Sequence, residues 1–225
     1  MKNPFLDFHP DSYREQGDPV ERLAQAKQDV MGWIVEAYLK LVKGELKNLA
    51  WPVEHNRVLK VYGDAVSNLR GLQYDRYDIE AFCAELDSSD DLPYMIPGPA
   101  GLYISALVNH SYENRIRLRL QDYQRTFHFL GYALSKRKTL ILQGDAGDFC
   151  GAGLQGGRLV VEGGVGNWCG AGMLEGEIRV NKDAGLNTGE WMHGGEIRVG
   201  GTIESVGQVR HGGQIFQSGN LVSLP

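Results

Sequence analysis

From about residue 139 onward, apolar and polar residues recur with one step. Leu159, Ile178 and Ile197 follow each other at intervals of nineteen residues, as do Val161, Val180 and Val199. Ala146, Val165 and Ala184 keep the same spacing, and so do Leu154, Met173 and Met192. Between these columns the character changes: Arg158, Glu177 and Glu196 form one polar column, and Val160, Arg179 and Arg198 another. Alternation with period two inside each run marks short strands with one face inward and one outward. A nineteen-residue unit cannot bury its own apolar face, whereas stacked copies share a continuous core. The pattern predicts a mainly β protein, a right-handed parallel β-helix or solenoid.

Glycine follows the same step. Gly147-Asp148-Phe149-Cys150-Gly151-Ala152-Gly153 aligns with Gly166-Asn167-Trp168-Cys169-Gly170-Ala171-Gly172, and then with Gly185, Leu186, Asn187, Thr188 and Gly189. Glycines at fixed points supply positive φ or close approach at the corners of each coil. Residues 127–144 read as an earlier coil, and residues 116–120 as a strand of one before that. At the far end Gly207, Gly212, Gly213 and Ile215 continue with a step of eighteen, and Gln217 replaces the interior valine. That last coil is expected to be a polar cap against end-to-end stacking.

The first hundred residues follow another period. Leu23, Ala26, Val30, Ile34, Ala37 and Leu41 recur at helical spacing, between an Asp18-Pro19-Val20-Glu21 start with a capping box and a Gly44 stop. Lys40 and Lys43 suit the last turn. Residues 57–62 suggest a short strand, and residues 78–86 a helix capped by Asp78 with Ile79, Phe82 and Leu86 on one face. Residues 88–99 read as a loop, which sets the boundary: an α-helical N-terminal region, residues 1–98, and the β-helix, residues 99–225. In the early coils Ile141 and Val160 stand in the outward column that later carries Arg179 and Arg198. An apolar strip of this kind is expected to be covered by the N-terminal helix or by a partner chain.

Composition narrows the class. Of 30 glycines, 22 fall between Gly144 and Gly219, which places the change of architecture in the second half. A net charge of −5 argues against general binding to nucleic acid or acidic membrane, so any polyanion site has to be local. The three cysteines, Cys83, Cys150 and Cys169, match no metal spacing and leave one over in any disulfide scheme. With no apolar leader and no membrane-length run, the expected location is the cytoplasm.

Residues 144–161, Gly144-Asp145-Ala146-Gly147-Asp148-Phe149-Cys150-Gly151-Ala152-Gly153-Leu154-Gln155-Gly156-Gly157-Arg158-Leu159-Val160-Val161, carry a resemblance. The stretch from Pro99 to about Gly201 is similar to the C-terminal GXGXG domain of the glutamate synthase large subunit. More distantly, it resembles the formylmethanofuran dehydrogenase subunit that uses the same coil. The resemblance implies a brace between catalytic domains, with no catalytic group of its own. The first hundred residues match no part of that family, and no amidotransferase or FMN and iron–sulfur domain accompanies the coil.

Several residues are candidates for chemistry. Cys150 and Cys169 share one column on neighbouring coils, and their expected role is packing, with a redox pair as the alternative. His193 and His211 each precede a Gly-Gly pair and are expected to stack, as a solvated corner or as part of a metal site lacking its third ligand. Trp168 and Trp191 read as structural aromatics or as anchors for a partner. Asp78, Glu80, Glu85, Asp87, Asp90 and Asp91 form an acidic cluster, read as a solvated face or as a contact for a cation or basic partner. Gly-x-Gly here is not a dinucleotide fingerprint, because no helix follows it. The expectation is therefore a non-catalytic scaffold with protein partners or a homo-oligomeric state, and with no catalytic, metal or cofactor-binding residues. The alternative is an accessory subunit of a glutamate synthase-like or formylmethanofuran dehydrogenase-like oxidoreductase complex.

Overall fold

The computed structural model describes residues 19–43, 45, 53–95, 97–208 and 211–222. Four helices come first: α1 (Pro19–Lys43), α2 (His55–Asn68), α3 (Arg76–Ser88) and α4 (Pro99–His110). Seven strands follow: β1 (Arg115–Arg119), β2 (Thr139–Gln143), β3 (Gln155–Val161), β4 (Glu175–Val180), β5 (Glu196–Val199), β6 (Gln214–Gln217) and β7 (Asn220–Leu221). The strands lie side by side in chain order, parallel from β1 to β6. They form a parallel β-solenoid of about four turns. The register is the one the repeat predicts: Leu140 pairs with Leu159, Leu159 with Ile178, Ile178 with Ile197, and Ile197 with Ile215. The second column stacks too, through bridges between Ala146 and Val165, Val165 and Ala184, and Ala184 and Ile203.

The glycine motif marks a corner. Three alternate residues in each corner have positive φ: Phe149, Gly151 and Gly153 at 58°, 69° and 61°, then Trp168, Gly170 and Gly172 at 55°, 67° and 65°. A β-carbon on Gly151 would stand 2.5 Å from Ile178 Cδ1, inside the core of the next coil. The first position of the three accepts aromatic residues because they stack along the solenoid. Phe129 lies 4.7 Å from Phe149, and Phe149 lies 5.0 Å from Trp168, with rings within 6° of parallel. Such contacts, about 0.5–1.5 kcal/mol each, offset a left-handed conformation that costs an ordinary L-residue about 1–2 kcal/mol.

Polar side chains stitch the coils at a neighbouring position. Asp148 Oδ1 accepts the backbone N–H of Asn167 at 2.7 Å, and Asn167 Oδ1 accepts that of Leu186 at 2.8 Å. Asp145 and Asp183 do the same for Gly164 and Thr202, at 2.8 and 2.6 Å. Each satisfies a corner amide that strand pairing leaves free.

The two ends close differently. At the C-terminal end β7 folds back antiparallel on β6 through Ser218 and Gly219, whose φ values of 49° and 84° suit a two-residue hairpin turn. Gln217 ends the interior valine column, and its Oε1 accepts the N–H of Ile203 at 3.3 Å. At the N-terminal end α4 lies against the first coil. It is buried on every side from Pro99 to Val108. Ser105 Oγ donates to the Phe129 carbonyl (2.9 Å), and Asn109 Nδ2 to those of Tyr132 and Ala133 (3.1 and 3.3 Å). Lys138 of the coil is itself buried and returns the contact, its Nζ donating to the Ser111 and Glu113 carbonyls at 2.5 and 2.6 Å. A single apolar core therefore runs from Ile34 of α1 through Tyr38, Phe82 and Tyr103 to Ile215 of β6.

Several expectations are revised or relocated by the structure, and one falls outside the described residues. Residues 57–62 are not a strand but the interior of α2, where Val58, Val61 and Ala65 are buried at helical spacing. A short apolar run fits both periods, and packing against α4 selects the helix. The helix over residues 78–86 starts earlier, at Arg76. Asp75 is its N-cap and Asp78 closes the capping box from the third position, while Lys27 of α1 binds both carboxylates. The boundary drawn at residue 98 falls at the N-cap of α4, so one further helix precedes the first strand. The caps assigned to Asp18 and Gly44 lie outside the described residues.

The strip at Ile141 and Val160 is not where α1 packs: its extensive contacts are with α2, α3 and α4, and β1 is the strand with an extensive helix contact, to α3. Only part of the α1 stripe is buried. Ile34, Ala37 and Leu41 are covered, whereas Val20 and Leu23 are 71% and 65% exposed.

Gly101 sets the approach of α4 to the coil. A β-carbon there would fall 1.6 Å from the His128 carbonyl oxygen, which is backbone and cannot swing aside. Gly101→Ala is expected to destabilise the fold by about 3 kcal/mol or more, read by urea unfolding; a loss under about 1 kcal/mol would show that the docking is looser than described.

Candidate functional site

The residues singled out for chemistry are brought together by the solenoid in the expected columns, and most are absorbed by the fold. Cys150 and Cys169 are free thiols, fully buried on adjacent coils, with Thr188 next along. Burial raises both, Cys169 to about 12 and Cys150 well above its ordinary value, so neither forms a ready thiolate. His193 and His211 stack with centroids 4.6 Å apart, as their column predicts. Among the described residues no three His, Cys, Asp or Glu side chains gather as a metal site. Trp168 belongs to the aromatic ladder, whereas Trp191 is half exposed and takes positive φ where the previous coil has Gly172.

Four members of the acidic cluster find partners within the chain. Asp78 pairs with Lys27 at 2.9 Å and Glu80 with Arg119 at 2.6 Å. Asp87 accepts the Arg125 backbone N–H at 2.7 Å, and the Arg125 guanidinium reaches Asp90 at 3.5 Å. These pairs tie α3 to α1 and to the first coil.

One surface stands out that no sequence motif announces. The outward residues of β1 are Arg115, Arg117 and Arg119, all exposed, while Ile116 and Leu118 between them are fully buried. Arg76 and Tyr77, from the first turn of α3, rise beside them, and Glu80 and Gln143 complete a concave surface of about 520 Å³. The Arg76 guanidinium lies 4.7 Å from the centroid of the Tyr77 ring and donates to its hydroxyl at 2.7 Å. The available signal in the chain is Arg117 and Arg119 at alternate positions of the strand expected over 116–120, with Arg115 just before it. Its partner Arg76 is remote in sequence and meets it only through the contact of α3 with β1.

A second concavity, of about 500 Å³, lies farther along the same sheet at Arg179, Arg198 and Phe216. There Arg198 is occupied, paired with Glu196 at 2.8 Å through Nη2 and placed over the Phe216 ring at 4.2 Å.

With this geometry in view, comparison with family models, curated proteins and solved structures found no match. No helix among the described residues is long and apolar enough to cross a membrane.

Two side chains in the corner ladders allow direct tests. Phe149 sits at φ 58° between two stacked neighbours. Phe149→Ala is expected to cost about 3 kcal/mol, and Phe149→Gly about 1 kcal/mol less than that, because glycine relieves the left-handed strain. Equal losses in urea unfolding would remove strain from the account.

His128 begins the polar ladder. Its Nδ1 accepts the N–H of Asp148 at 3.0 Å, which requires the neutral ring. Burial lowers its pKa below the ordinary 6.5, against the opposing pull of the Asp148 carboxylate. A group with a depressed folded pKa contributes stability that is complete above the unfolded value and is lost as pH falls through the folded one. His110, also lowered by burial, adds to the same trend. The melting temperature is expected to drop between about pH 7.5 and about pH 5, and His128→Gln, which keeps an acceptor, to flatten part of that drop; an unchanged slope would exclude His128 as a source.

Proposed function

We propose that this chain is a non-catalytic scaffold that binds a protein partner. The reading rests on α1. Its apolar stripe is covered from Val30 onward by the helical core, yet the same stripe continues through Ala26 and Leu23 to Val20 as exposed surface. Exposed apolar side chains aligned with a buried stripe suit helix-in-groove or helix-pairing recognition. The body behind it is suited to bracing, because one core joins the helices to the coils and two side-chain ladders tie neighbouring coils to each other.

The resemblance of residues 144–161 to the glutamate synthase GXGXG domain supports the same kind of role. It makes an accessory place beside amidotransferase and synthase chains, or in a formylmethanofuran dehydrogenase-like complex, the first setting to examine.

The test is affinity purification of the tagged full chain from its native source, followed by light scattering of the recovered complex. A partner held at fixed stoichiometry is expected. Leu23→Asp/Ala26→Asp should leave circular dichroism and melting unchanged and weaken that complex by about ten-fold or more. Turnover of glutamine, 2-oxoglutarate or a formyl donor by the isolated chain would overturn the reading, as would a complex indifferent to the double substitution.

A further inference from the structure

Three arginines in a row on one strand face are not required by the solenoid. The positions paired with Arg115, Arg117 and Arg119 in β2 are Thr139, Ile141 and Gln143, and those coils stack equally well. Strand alternation holds the three guanidiniums on one side, with successive Cα atoms of that face about 7 Å apart. Arg76 adds a fourth from α3.

Two of the four have internal counterions. Arg119 is paired with Glu80 at 2.6 Å, with Asp122 contributing at longer range. Arg76 has Glu113 at 3.9 Å, although that carboxylate also accepts the Arg76 backbone N–H at 2.7 Å. Arg115 and Arg117 have no ion pair within the chain among the described residues. In a protein of net charge −5, the fold thus places two guanidiniums without an ion pair beside two others that face carboxylates, Arg119 with Glu80 and Asp122 and Arg76 with Glu113 and Asp75.

We propose that this face binds a small multivalent oxyanion, a compound bearing two or more linked phosphate groups. Arg115 and Arg117 are its main ligands, and Arg76 and Arg119 close either side. A guanidinium presents paired donors that match phosphate oxygens bidentately. A single small anion would satisfy one fork, whereas two forks about 7 Å apart call for an extended one. The concavity, about 520 Å³, is of the size that small molecules occupy. A nucleic acid is disfavoured, because the patch is one strand long and the rest of the chain is acidic. The inference is independent of the α1 surface.

The probe is inorganic tripolyphosphate, titrated calorimetrically into the full chain at low salt, with citrate and a short DNA duplex as comparisons. Saturable one-to-one binding is expected, stronger than for either comparison. Arg115→Glu/Arg117→Glu should weaken it by about thirty-fold or more, while Arg179→Glu, on the same sheet but outside the patch, should stay within about two-fold. Arg117→Gln should give an intermediate loss and provides a milder check should the double reversal unfold. Absence of saturable binding, equal loss in Arg179→Glu, or equal or tighter binding of citrate or DNA would each overturn the proposal.

Discussion

Every part of this molecule answers to the register between successive coils. One coil encloses too little volume to exclude water, so each interior side chain must meet its counterpart in the coils above and below. Leu140, Leu159, Ile178, Ile197 and Ile215 do so along a single line. The corners must then turn at the same place each time, which is why positive φ recurs at three alternate positions. Where those positions are not glycine, a compensating contact is found for Phe149 and Trp168 in ring stacking. The aspartates and asparagines at the corners belong to the same constraint, since they accept amides that the turning backbone cannot pair.

A stack built in this way has two raw ends, and each is closed by a different device. The C-terminal end is short and polar, with an antiparallel strand folded onto it and Gln217 in place of an interior valine. The N-terminal end is covered by a helical unit whose core is continuous with that of the coils. The contact is close because α4 offers Gly101, Ser105 and Asn109 to the backbone of the first coil, and Lys138 reaches back to the chain just beyond the helix. Backbone carbonyls that would otherwise be orphaned at a solenoid end are thereby satisfied.

With the interior committed to stacking, the accessible side chains are those of the outward positions and the helices. Of the residues that look chemical in the sequence, the stacked thiols are buried, and Asp78 and Glu80 of α3 hold basic partners. The outward face of β1 differs in part, since Arg119 is tied to Glu80 of α3 whereas Arg115 and Arg117 have no ion pair among the described residues. Leu23 of the α1 stripe is likewise exposed.

The solenoid is legible in the chain because its information is local and repeated. Nineteen-residue columns such as Val161, Val180 and Val199 identify the interior, and the glycine step identifies the corners. The long amphipathic helix is legible for the same reason, through the period of Ile34, Ala37 and Leu41. Helix α4 is not, because a segment buried on all sides has no polar face and therefore no period to detect. Residues 57–62 suggest the wrong element because a short apolar run is compatible with strand and helix until α4 is packed beside it. The arginine face is half legible: Arg115, Arg117 and Arg119 are neighbours in sequence, but Arg76 joins them only when α3 docks on β1. Periodicity, a property of the chain, fixes which residues face inward; assembly of separate segments fixes which outward residues meet, because that depends on contacts no local pattern encodes.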